Sequence, residues 1–271
     1  MDERERPIGV FDSGVGGLSV LRAMRERLPD ERFVYLGDTA RVPYGTKSAE
    51  TVRRYAINAA GFFEDRGVKT LVVACNSASS VALDALRERW GDRPVIGVIE
   101  PGARASAAAG SDVLVLATEA TVASGAYERA IRGTRPDARV RTIAATLLVA
   151  LAEEGWTAGP TVEAVVRDVL SGVVEEAVPA CVLLGCTHFP LLADAIGRVL
   201  GRGVRIVDSA RTTADEVARV LDERGLACPN DDRAGDESLC VTDGAERFAR
   251  IASRFLGRPV DAGGVMLVDL V

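Results

Sequence analysis

Seven short apolar runs separated by helical patterns constrain this chain more than any other feature. They are IGVFD (8–12), FVYLGD (33–38), TLVVAC (70–75), PVIGVIE (94–100), DVLVLAT (112–118), CVLLGC (181–186) and VRIVDS (204–209). Each is rich in Val, Ile or Leu and lacks the alternation of a strand with one wet face. Such runs suit strands buried on both sides of a parallel sheet. The segments between them read as helices. Over 48–65, Val52, Tyr55, Ala56, Ala59, Phe62 and Phe63 share one face, with Ser48 as N-cap and Gly67 as stop. Residues 76–90 and 190–200 repeat the pattern. The βαβα order predicts an α/β fold.

The chain also resembles itself. LVVACNS (71–77) aligns with VLLGCTH (182–188), FDS (11–13) with LAT (116–118), and VIE (98–100) with IVD (206–208), at offsets of 105–111 residues. The expectation is two similar doubly wound lobes with mostly parallel sheets and a cleft between them.

The chemistry-bearing residues cluster at the carboxyl ends of these runs, where parallel sheets bind ligands. Cys75 and Cys186 each end a strand and open a helix, at matching places in the two halves. A helix start lowers a thiol's pKa and favours its use as a base. Cys181, Cys228 and Cys240 have no such setting and read as ordinary small side chains. His188, the only histidine, lies two residues after Cys186 and reads as a proton partner. Asp12 and Ser13 stand beside a glycine turn, Gly14, Gly16 and Gly17, and read as attendants of Cys75. Two thiols on opposite faces of one carbon suit stereochemical inversion: one removes a proton, the other returns one. Ser77, Thr118, Thr121 and Thr187 supply further hydroxyl donors, and backbone N–H groups at helix starts suit a carboxylate.

Other classes fit less well. The glycine turn partly matches a dinucleotide fingerprint, with Asp38 where a ribose acid belongs, but Asp12 puts negative charge at the phosphate position. No Gly-Lys-Ser/Thr follows, which excludes a P-loop. Lys47 and Lys69 are the only lysines, and neither ends a strand as a Schiff-base lysine for pyridoxal phosphate would. One histidine and two thiols are too few ligands for a metal. A net charge of −6 with no basic stripe argues against nucleic acid. No apolar run is long enough to span a membrane, and no signal peptide is evident. Five cysteines without CxxC spacing read as reduced thiols, so a cytoplasmic location is expected.

Taken together, GVFDSGVGGLSVL, GDTARVPYGTKS, ACNSAS, VIGVIEPGA, TEATVASGAYERAI, EEGW, LLGCTHFPLL and VDSA resemble the glutamate racemase family, in order over about residues 8–220. The resemblance implies a cofactor-independent racemase with two facing α/β domains, making D-glutamate for bacterial peptidoglycan. It implies that Cys75 exchanges the proton with the D enantiomer and Cys186 with the L enantiomer, assisted by Asp12 and His188. It implies substrate contacts from Asp12, Ser13, Tyr44, Gly45, Asn76, Ser77, Thr118, Thr121, Thr187 and His188. The implied domains are 1–98 with 209–271, and 99–208. The family's auxiliary acid maps to Glu153, with Glu154 as the alternative. The run before it, AATLLVALAEEG, lacks the family's usual cysteine and prolines. Ser77 stands where the family often has threonine. An aspartate racemase on the same scaffold is the neighbouring alternative. A homodimer and a gyrase-binding role known for some members stay open, since no interaction surface is visible in the sequence.

Overall fold

The structure, a computed structural model, describes residues 2–174, 176–229 and 235–270. Two sheets organise it, and every strand pairing within them is parallel. The first contains β1 (Ile8–Asp12), β2 (Phe33–Gly37), β3 (Thr70–Val73) and β4 (Val95–Gly97). The second contains β5 (Asp112–Ala117), β6 (Arg139–Ala144), β7 (Cys181–Gly185) and β8 (Arg205–Asp208). Late in the chain, β9 (Glu237–Val241) and β10 (Val265–Leu267) return to the first sheet. Its order is β10-β9-β2-β1-β3-β4, and that of the second is β6-β5-β7-β8. The shared core order, 2-1-3-4 against 6-5-7-8, is the repeat expected from the aligned segments.

The connecting helices are α1 (Leu18–Arg27), α2 (Ala49–Asp65), α3 (Asn76–Trp90) and α4 (Ile99–Ala109), then α5 (Glu119–Ser124), α6 (Ala126–Thr134), α7 (Leu147–Glu154) and α8 (Pro160–Val174). The last three are α9 (Ala193–Leu200), α10 (Ser209–Arg224) and α11 (Ala245–Leu256). Helix α2 begins as expected: the Ser48 hydroxyl accepts from Thr51 N at 3.3 Å. Its buried stripe, Val52, Ala56, Ala59 and Phe63, packs into an apolar cluster with Phe11, Leu36, Leu71 and Val73.

The expected strands 8–12 and 112–118 match almost residue for residue, whereas 94–100 shortens to three residues because Ile99 already begins α4. Strands β6, β9 and β10 carry no such signal. β6 (RVRTIA) is partly exposed along its length, so its sequence never forms an apolar run.

The two cysteine junctions differ. Cys75 is the N-cap of α3. Cys186 does not cap an α-helix: a turn through His188 leads into a 3₁₀ segment, Phe189–Leu192, before α9. Pro190 occupies the first turn of that segment, where its missing N–H costs nothing.

Candidate active site

Register places the two thiols. Asp12 pairs with Gly37 at the end of β1, and Phe11 with Val73 at the end of β3, so Asp12 and Cys75 emerge from neighbouring strand ends. In the second sheet Ala117 pairs with Gly185, which brings Thr118 and Cys186 out side by side. All these ends face one cavity between the sheets, about 580 Å³ with its mouth included. Cys75 and Cys186 both line it, with Ser13, Tyr44, Gly45, Asn76, Ser77, Thr118, Glu153, Thr187 and His188. Asp12 and Thr121 sit behind this wall, 1% and 2% exposed.

The first thiol has oxygen neighbours. Cys75 Sγ donates to Ser13 Oγ at 3.5 Å. Burial first, and the Asp12 charge second, push this thiol up to about 12. This reverses the lowering expected at a helix start. The Ala78 N–H does favour the thiolate, but less than burial and Asp12 oppose it. Asp12 is itself raised by burial, although its Oδ2 accepts from Gly14 N at 2.9 Å and His188 lies close enough to lower it. Its Oδ1 is buried without a hydrogen-bond partner.

The second thiol has a histidine beside it. Cys186 Sγ and His188 Nδ1 are 3.7 Å apart, and His188 Nε2 lies 3.2 Å from Glu153 Oε1. Burial opposes the imidazolium, but hydrogen bonds and charge from Cys186 and Glu153 outweigh it, and His188 is pushed up to about 10. Glu153 is held low, chiefly by its hydrogen bond to His188. Glu154, the alternative acid, points to solvent. The proline-free run before it still forms a helix that delivers Glu153 to the histidine.

Hydroxyls and an amide stitch the lobes together around the cavity. Ser77 Oγ lies 3.0 Å from Thr118 Oγ1 and 3.3 Å from Thr121 Oγ1. Asn76 Nδ2 donates to Tyr127 OH at 2.8 Å, leaving its buried Oδ1 unpartnered. Gly45 is a necessary glycine, because a Cβ there would come within 2.8 Å of Thr118 Cβ. Gly16 is another: a Cβ would meet Thr187 Oγ1 at 2.2 Å and His188 Nδ1 at 2.5 Å. The glycine turn therefore lets first-lobe backbone press against the second thiol's partners.

Asp38, the ribose acid of the dinucleotide reading, is wholly buried. It accepts from Tyr44 OH at 2.5 Å, Thr242 Oγ1 at 3.0 Å and Arg41 Nη1 at 3.1 Å. It shapes the Tyr44–Gly45 wall and is saturated. Lys69 is also saturated, at the amino end of β3, by the carbonyls of Arg4 and Leu226 and the Glu31 carboxylate. Among the described residues no group of three or more His, Cys, Asp or Glu is placed to hold a metal ion.

Sequence reading missed several wall residues: Val42, Pro43, Thr46, Thr146 and Val149. It also missed Tyr127, Arg247 and Arg254, which act from helices not read for chemistry. The segments GDTARVPYGTKS and TEATVASGAYERAI contain Val42, Pro43, Thr46 and Tyr127, but nothing in them singled these residues out.

Residues 8–217 match the Asp/Glu/hydantoin racemase family. A glutamate racemase from Geobacter metallireducens is 48% identical over 254 residues, 93% of each chain. The structure of glutamate racemase from Francisella tularensis in complex with D-glutamate superposes with a TM-score of 0.91, at 34% identity over 98% of both chains. That of glutamate racemase from Thermus thermophilus in complex with β-chloro-D-alanine gives 0.88, at 47% identity and 98% coverage of both.

Proposed function

This chain belongs to the Asp/Glu/hydantoin racemase family, and on that premise we propose that it interconverts L- and D-glutamate, one thiol removing the α-proton and the other returning its own proton from the opposite face. The observation that carries the reading is a pair of thiols, Cys75 and Cys186, at matching strand ends of two repeated sheets, lining one cavity.

In the L-to-D direction, Cys186 takes the α-proton while His188, charged and braced by Glu153, balances the thiolate. Cys75 then returns a proton to the opposite face. The high pKa of Cys75 supports this order, because it keeps that thiol protonated until it is needed. In reverse, Cys75 must ionise beside Asp12. The substrate ammonium, seated against the unpartnered Asp12 and Asn76 oxygens, offsets that negative charge. Ser13 and Thr187 complete the amino-group side. Ser77, Thr118 and Thr121, with the α3 N-terminus, suit the α-carboxylate, and Tyr44 and Gly45 close the wall around the side chain. No step requires a cofactor.

The two units that close on substrate in this reading are 1–98 with 209–271, and 99–208. No helix among the described residues is long and apolar enough to cross a membrane. The biological setting proposed with this reading is a cytoplasmic enzyme supplying D-glutamate for peptidoglycan. The test is incubation of the purified chain with L-glutamate in D2O, with no cofactor added and L-aspartate in parallel. D-glutamate labelled at Cα is expected, with aspartate much slower. Absence of both D-glutamate and label would sink the proposal.

A further inference from the structure

Helix α11 closes the back of the second thiol's site, although it packs with the first sheet, where Phe248 meets Tyr35 at a ring separation of 6.1 Å. Arg247, Arg254 and Phe255 stand at i, i+7 and i+8, so they share one face of the helix. All three reach the His188–Glu153 pair. The Phe255 ring meets the His188 ring edge-on at 5.3 Å. Arg254 Nη1 donates to the Glu153 carbonyl. Arg247 Nη2 lies 3.3 Å from Glu153 Oε2, while Glu153 Oε1 faces His188.

The Glu153 carboxylate is thus bonded to the histidine through one oxygen and to α11 through the other. Local backbone is shaped to allow this. Gly155 ends α7 at φ +80°, and a Cβ there would come within 2.8 Å of Arg254 Cζ. The glycine after the two glutamates therefore serves both as a left-handed helix stop and as the gap through which Arg254 reaches the chain.

We propose that Arg247 is a positioning residue: by gripping the outer oxygen of Glu153 it aims the inner oxygen at His188, and so ties the second thiol's proton partner to the opposite lobe. What this does for turnover rests on the function proposed above; the grip itself rests on geometry alone.

Two physical effects of Arg247 oppose each other, and that makes the idea sharp. As a bare cation it disfavours a charged His188, so removing it would raise the histidine's pKa. As the holder of Glu153 it favours a charged His188, so removing it would lower that pKa. The other titratable or charged groups around the histidine are Cys186, Asp12, Glu153 and Arg254, with Asp243 beside Arg247 in the outer cleft. None of them is changed by the substitution.

The experiment is NMR titration of the imidazole in the full chain, unambiguous because the chain has one histidine. Arg247 is 59% exposed, so Arg247→Gln does not threaten folding. In Arg247→Gln the His188 midpoint should fall by roughly one pH unit from its high starting value. The kcat for glutamate should fall about two- to fivefold, the scale of an exposed ion pair, with KM little changed. Arg247→Lys should recover most of both. A midpoint that stays or rises overturns the proposal. A parent chain that fails to racemise glutamate, but whose midpoint falls in Arg247→Gln, leaves the grip standing and defeats the function instead.

Discussion

Cys75 and Cys186 occupy equivalent places in two sheets of one strand order, yet their surroundings handle a proton in opposite ways. Cys75 sits at an α-helix N-cap, and burial with Asp12 holds it protonated. Cys186 sits ahead of a 3₁₀ turn and borders a histidine held charged by its partners. The repeated backbone supplies two positions; the loops around them supply two chemistries. In the function proposed above, the asymmetry separates the group that gives a proton from the group that takes one. Enantiomers are equal in free energy, so every variant must change kcat/KM equally in both directions. Differences between the thiols therefore appear in isotope exchange, in kcat and KM separately, and in pH dependence.

The largest expected effect is loss of either thiol. Cys75→Ser or Cys186→Ser should lower racemisation by about a thousandfold or more, at the upper end of acid–base contributions. Equal, small losses would break the two-thiol account.

Asp12→Asn comes next and tests the first lobe's chemistry. Activity should fall about a hundredfold, because the substrate ammonium loses its counter-charge. Stability should move the other way. Burial raises the Asp12 pKa, so folded protein binds its proton more tightly than unfolded, and stability is lost as pH rises through that range. Removing the charge should raise Tm at neutral pH. A thermal melt showing a lower Tm would mean that Asp12 is structural.

Gly16→Ala probes where the lobes touch. The new methyl lands on Thr187 and His188, at an expected cost of about 1–3 kcal/mol in stability and a clear fall in kcat. Wild-type melting and rate would refute the close approach.

The smallest and most selective pair is Glu153→Gln against Glu154→Gln. The first should cost about tenfold in kcat and bring the His188 pKa down toward its ordinary value. The second should change neither. His188 has a raised folded pKa, so its stabilising share is complete below about 6.5 and is lost as pH rises toward about 10. Glu153→Gln should remove part of that pH dependence between those limits, as read by Tm against pH, with the share from Cys186 remaining. Matching behaviour of the two variants would show that Glu153 has no special place.

Much of this comparison was legible in the residues. The apolar runs marked seven strands because central parallel strands are buried on both faces. The paired cysteines stood out because each ends an apolar run at a matching place in the two halves. At AATLLVAL, which has neither proline nor cysteine, a helix forms, since Ala and Leu are strong helix formers. The rest depended on packing over long sequence separations. Strand β10 is only three residues long, and β9 begins with the polar pair Glu237 and Ser238, so neither forms a long apolar run. Arg247 and Arg254 look like ordinary surface charges on an amphipathic helix, and only tertiary structure brings them to Glu153. Asp38 fits a cofactor motif by position, yet the fold spends it on Tyr44, Arg41 and Thr242.

The most direct measurement is α-proton exchange by Cys75→Ala in D2O, with each glutamate enantiomer supplied separately and followed by NMR. With Cys186 as the remaining base, L-glutamate should gain deuterium and keep its configuration, while D-glutamate stays unlabelled. Labelling of both enantiomers at similar rates, or continued formation of D-glutamate, would contradict the assignment of one thiol to each face.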